Sequence, residues 1–334
     1  MQHSLIPACY FPTTALFVDD SRDFLLNFVL QLDEWLAYRV FDAPFDALNY
    51  IQKKYIELAT LKNRYIEGYT KLNNDINKKG IHTVIHSEIY NPQRFNEISV
   101  IVVDYDMSDM NGLEFCETIK ETAIKKLLLI GKKDEQLAVE AFHAGLIDGY
   151  IYKSDPNIAD LITKRINDLQ WQYFQAMSKT IYQDSPLQIP ACLQDNEFVT
   201  FFKELCQDKG IVEFYLVDST GSFLLLDHDA QISFLVVKSE ADRMFYLNIA
   251  RDYGASDELI QLLSSGEKIP YITLPKDKQN QEWLTSLLPA NQLIADKTYW
   301  YSYSKESLLN ICKEKLFSFY HHLEEIDAEE LLLL

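Results

Sequence analysis

Three short, β-rich apolar runs in the first half of the chain each deliver charge at their carboxyl end, and this limits the fold more than any other feature. Thr14–Val18 leads into Asp19 and Asp20, residues 99–103 lead into Asp104, and residues 150–152 lead into Lys153. A fourth run, 127–130, ends at Gly131. Short runs without polar alternation read as strands buried on both faces. Ser21 reads as the N-cap of a helix bearing Phe24, Leu25, Phe28 and Leu32 at helical spacing. Residues 36–41 suit a second strand, 43–51 begin a second helix, and 134–144 form another. Strands alternating with helices predict an α/β domain, a doubly wound five-stranded parallel sheet.

Ligands of such sheets bind at the carboxyl ends of the strands. One sheet would therefore bring Asp19, Asp20, Asp104 and Lys153 to a single edge. Crowded carboxylates raise one another's pKa unless a cation intervenes. A hard dication with oxygen ligands, most simply Mg²⁺, meets that need while keeping several waters. One carboxylate can then attack phosphorus, with Lys153 offering compact positive charge to the transferred group.

Asp19-Asp20, Asp104 with Gly112 eight residues on, and Tyr150-Ile151-Tyr152-Lys153-Ser154 together resemble the signature of two-component receiver domains, over residues 13–155. The resemblance implies that Asp104 accepts a phosphoryl group from a sensor histidine kinase or a phosphotransfer protein. It implies that Asp19 and Asp20 hold Mg²⁺, directly or through water, with Asp104 and the backbone carbonyl of Asp106 as further ligands. Lys153 would pair with the phosphoryl oxygens, and Tyr150 would be the aromatic that changes rotamer on activation. Phosphorylation would promote a homodimer. The chain departs from the pattern in three places. Asp20 and Asp104 stand 84 residues apart, about twice the usual separation, and Ser108 stands where proline is common. Ile130 stands where receivers carry Thr or Ser. Isoleucine cannot donate a hydrogen bond, so the usual coupling to Tyr150 is expected to be missing, with the signal leaving by another face. More narrowly, residues 86–95 and the hairpin over 214–226 resemble quorum-sensing response regulators of Legionella-type bacteria.

The extra length falls in a helical insertion over 53–96, which carries 8 Lys+Arg against 4 Asp+Glu. His82 and His86 lie four apart there with Glu88 nearby, which is too few ligands for a zinc site. A stripe of Ile158, Ile162, Ile166, Leu169, Tyr173, Met177 and Ile181 predicts a long linker helix over 156–184, serving either as a dimer seam or as packing on its own domain. A second, α+β domain is expected over 185–330. It would have strands over 212–217, 223–226, 232–237 and 299–303, and helices over 198–206, 240–253 and 307–323. Asp218 to Gly221 reads as hairpin punctuation, and the hairpin resembles ligand-sensing domains such as PAS or GAF. Asp227-His228-Asp229 could act as acid and base, although turn chemistry explains it equally well.

Charge narrows the output. The chain carries a formal −19, and residues 181–334 hold 12 Lys+Arg against 25 Asp+Glu. DNA binding draws much of its affinity from Lys and Arg neutralising phosphates, and no basic recognition helix is visible. The expected output is therefore a module that binds a protein or a small ligand such as a nucleotide. A signalling enzyme of the nucleotide cyclase or hydrolase type and a DNA-binding regulator are the alternatives. Five scattered cysteines, no leader-like start and no apolar run near the roughly 20 residues that span a bilayer predict a cytoplasmic protein.

Overall fold

The computed structural model describes residues 5–57, 85, 87–184, 189–271, 287–305 and 308–331. Contacts divide these into two units. Residues 11–57, 88–181 and 319–331 form one; the other gathers 5–10, 85, 87, 182–184, 189–271, 287–305 and 308–318. The contiguous division at 155 and 185 expected from the sequence differs from this, because linear patterning gives no sign of which distant segments return to pair.

The two-residue strand β1 (Cys9–Tyr10) belongs to the second unit. In the first unit, β2 (Thr14–Val18), β3 (Tyr38–Phe41), β4 (Ile98–Asp104), β5 (Lys125–Ile130) and β6 (Gly149–Tyr152) form a five-stranded sheet in the order β3-β2-β4-β5-β6. All its pairings are parallel. Alternate strand residues serve opposite faces. Leu16, Val18, Ile101, Val103, Leu128 and Ile130 pack against α2 (Pro44–Glu57), α3 (Gly112–Thr118) and α4 (Glu135–His143). Ala15, Phe17, Val100, Val102, Leu127 and Leu129 pack against α1 (Arg22–Val29) and α5 (Ile158–Asp184). Burial of both faces is why these strands read as unbroken apolar runs.

Helix α5 resolves the open question about its stripe. Ile162, Ile166 and Leu169 are fully buried in the sheet's second core, with Ile158 packed against it, so the first half of the stripe packs on its own domain. Of the expected insertion, 53–57 continue α2 and Pro92–Asn96 form a 3-10 turn before β4; residues 58–84 and 86, with His82 and His86, lie outside the described residues.

The second unit is built on a six-stranded antiparallel sheet in the order β1-β7-β8-β9-β13-β12. Its strands are β7 (Ile211–Leu216), β8 (Phe223–Asp227), β9 (Ile232–Ser239), β12 (Asn291–Ile294) and β13 (Thr298–Ser304), with β10 (Lys268–Pro270) and β11 (Leu287–Pro289) paired apart. Helices α6 (Asn196–Lys209), α7 (Glu240–Asp252) and α8 (Asp257–Ser265) accompany it. The last helix departs from expectation: it is α9 (Phe319–Leu331), not 307–323, and it packs in the first unit, where Phe319 and His322 meet Phe95. A short 3-10 turn at Lys313–Lys315 breaks the apolar spacing that suggested an earlier start. No disulfide joins the cysteines: Cys9, Cys116 and Cys192 are buried, Cys206 is half-buried and Cys312 is exposed. Among the described residues, no helix is long and apolar enough to cross a membrane.

Candidate functional site

The strand order reverses direction between β2 and β4, the place where open α/β sheets leave a crevice at their carboxyl ends. Val18 lies beside Val103 in the register, so Asp19 and Asp104 leave adjacent strands at the same level. The Asp19 N–H donates to the Phe41 carbonyl at 3.1 Å, and the Lys153 N–H donates to the Ile130 carbonyl at 2.9 Å. The backbone thus sets three of the four residues before any side chain acts.

Carboxylate oxygens of Asp19, Asp20 and Asp104 come within 4.8 Å of one another. Asp19 and Asp104 are buried and Asp20 is exposed. Lys153 Nζ lies 2.6 Å from Asp19 Oδ2 and 3.2 Å from Asp104 Oδ2, and it stands 4.4 Å above the Phe24 ring. Burial raises the Asp104 carboxyl above its ordinary value, and the Asp19 charge adds to this while Lys153 opposes it. Burial alone would lower the Lys153 ammonium, yet its bonds to Asp19 and Asp104 hold it above its ordinary value. One ammonium cannot neutralise three acids. Asp19 Oδ2, closed to solvent, receives no aligned hydrogen bond beyond that ion pair. The donor set therefore fits a hard divalent cation.

The surrounding loop explains two sequence features. A Cβ at Gly112 would lie 2.4 Å from the backbone oxygen of Asp104, so glycine is required for the chain to return beneath Asp104. Asn111 caps α3 through a reciprocal box with Glu114, fixing that return. Ser108, in the position where proline is common, donates its backbone N–H to Asp20 Oδ2 at 2.7 Å. Proline has no N–H, so this contact belongs to the departure itself.

Among solved structures, the Legionella pneumophila response regulator LqsR is 50% identical over 98% of this chain and 99% of its own, with a TM-score of 0.85. The chain belongs to the LqsR family of response regulators. A response regulator receiver domain protein from Clostridium thermocellum covers 49% of the chain and 98% of its own at 17% identity and TM-score 0.33. An adenylate cyclase from Rhodopirellula baltica covers 52% and 97% at 19% identity and TM-score 0.36; likenesses of this size carry no argument. No protein-family model and no curated protein matches the chain.

In this LqsR relative, Ile130 is fully buried among Leu128, Phe115 and Ala138. Tyr150 is half-buried and meets Tyr152 edge-on at 6.2 Å. A hydrogen bond to Glu135 helps push the Tyr152 hydroxyl up to about 12. Asp106 points its side chain outward to Lys133, Nζ to Oδ2 2.9 Å. Sequence reasoning missed Lys133, Phe24 and the Ser108 N–H. Of these, only Lys133 left a signal, since it follows a strand that ends at the same edge.

The other motifs prove structural. Asp227 Oδ1 accepts from the backbone of Asp229 and Gln231, which makes that triplet a turn. Asp218 Oδ1 gathers the N–H groups of Thr220, Gly221 and Ser222, as expected of hairpin punctuation. Asp195, Glu197 and Asp296 also cluster, but Asp195 is occupied as the N-cap of α6.

Proposed function

We propose that this response regulator takes a phosphoryl group onto Asp104 from a sensor histidine kinase or its phosphotransfer partner, in a quorum-sensing pathway of the cytoplasm. The observation that carries the reading is Lys153 bridging Asp19 and Asp104 at the edge where three carboxylates meet. Asp19 and Asp20, with the Asp104 carboxylate and the Asp106 carbonyl, would hold Mg²⁺. Bound there, the ion would screen the oxygens of the incoming phosphoryl group. A carboxylate oxygen of Asp104 attacks phosphorus, the bond from phosphorus to the donor breaks, and the donor leaves with that electron pair. Lys153 follows the phosphoryl oxygens as charge develops on them. Phosphorylation then shifts the chain toward a homodimer, and the acidic second unit binds a protein or small ligand such as a nucleotide rather than DNA.

The full chain incubated with Mg²⁺ and acetyl phosphate should gain one phosphoryl group by intact mass. Asp104→Asn should gain none, and chelating the metal should stop the reaction. Equal mass gain in both proteins would refute the assignment.

A further inference from the structure

The acceptor edge holds a second cation outside the set just described. After β5 ends at Ile130, Gly131, Lys132, Lys133 and Asp134 make a tight turn into α4. Lys133 reaches to the loop after β4 and pairs with Asp106, two residues beyond the acceptor. Both side chains are 72% exposed, so this pair contributes little and exchanges readily. Asp134 stands at the N-cap position of α4, yet its side chain caps nothing; φ −103° and ψ 5° hold it away from the extended backbone that capping uses. Its Oδ2 is closed to solvent and has no hydrogen-bond partner. That oxygen lies over Gly131, where a Cβ would come within 3.1 Å. A buried carboxylate oxygen without a donor is costly. The turn is therefore held in an arrangement that a small shift would improve.

Building on the reading that Asp104 is phosphorylated, we propose that the turn over 131–134 is the switch of this receiver. Lys133 exchanges Asp106 for the phosphoryl group on Asp104, and the movement brings Asp134 into register to cap α4. Charge drives the exchange, because a phosphoryl group carries roughly −1.5 to −2 near neutral pH against the single charge of a carboxylate. Ile130 cannot be drawn to the phosphoryl group by hydrogen bonding, and the lysine three residues on takes that part. The shift reaches α4, whose exposed Leu137 and Phe142 move with it.

The test compares the native chain with Lys133→Gln, Lys133→Arg and Lys132→Gln, all with Mg²⁺ and acetyl phosphate, and with Asp104→Asn as the blank. Lys133→Gln should slow phosphorylation about ten-fold, less than for a fully desolvated donor because the side chain is exposed. Lys133→Arg should restore most of the rate, and Lys132→Gln should stay near native. Hydrogen exchange should show the amides of Gln136 and Leu137 gaining protection on phosphorylation in the native chain, but not in Lys133→Gln or Asp134→Ala. A native rate and native protection in Lys133→Gln would overturn the switch while leaving Asp104 as acceptor. So would equal slowing in Lys132→Gln, or slowing without any change at those two amides. A native chain that gains no Asp104-dependent mass removes the acceptor and the switch together.

Discussion

A methyl group at position 112 would sit 2.4 Å from the Asp104 carbonyl oxygen, a separation that no packed pair tolerates. Gly112→Ala should therefore displace the end of β4, costing about 2–3 kcal/mol in urea denaturation and slowing phosphoryl uptake. Ser108→Pro removes the N–H that orients Asp20. It should leave folding nearly intact and weaken Mg²⁺ binding about ten-fold by calorimetry, the usual scale for losing an outer partner of a ligand. The acids and Lys153 were legible in the sequence because each ends a buried strand, and parallel pairing carries strand ends to one edge. Lys133 and the Ser108 N–H were not. Their directions depend on loop paths, which leave no periodic trace, and on the reach of a long side chain.

The β7–β8 hairpin shows how one turn can carry a unit's acid sensitivity. Lys238 is almost wholly buried, with Nζ 3.2 Å from Asp218 Oδ2 and 2.8 Å from Thr220 Oγ1. Burial pushes the Asp218 carboxyl up, but Lys238 and the donors of Thr220 and Ser222 outweigh it and hold it below its ordinary value. A depressed carboxyl stabilises the fold above its unfolded pKa of about 3.9, and that contribution is lost as pH falls through the lower folded value. Acid unfolding of this unit should thus begin below about pH 4. Asp218→Asn should flatten that limb of the stability–pH curve and cost about 3 kcal/mol near neutrality, by stranding Lys238. Other elements were readable in proportion to how local they are. Strands β7 to β9 follow one another through short turns and were plain from the sequence. The pairing of β1 with β7 joins Cys9 to Tyr215, and two residues carry no pattern. Helix α9 starts later than the apolar spacing predicts, because the stretch before it turns at Lys313–Lys315 and Phe319 then packs on Phe95.

For the molecule as a whole, a net charge of −19 opposes self-association, and each phosphoryl group adds to it. The dimer proposed for the phosphorylated chain should accordingly tighten as salt rises from about 0.05 to 0.3 M, as the Debye length shortens. Sedimentation should show this for the phosphorylated native chain and no dimer for Asp104→Asn. The distribution of thiols offers a means of following such changes. Burial pushes Cys116, Cys192 and Cys206 up to about 12, and a protonated sulfur is a poor nucleophile. A maleimide dye should therefore mark the native chain at Cys312 alone and all five cysteines once urea is added, giving a single optical reporter without engineering.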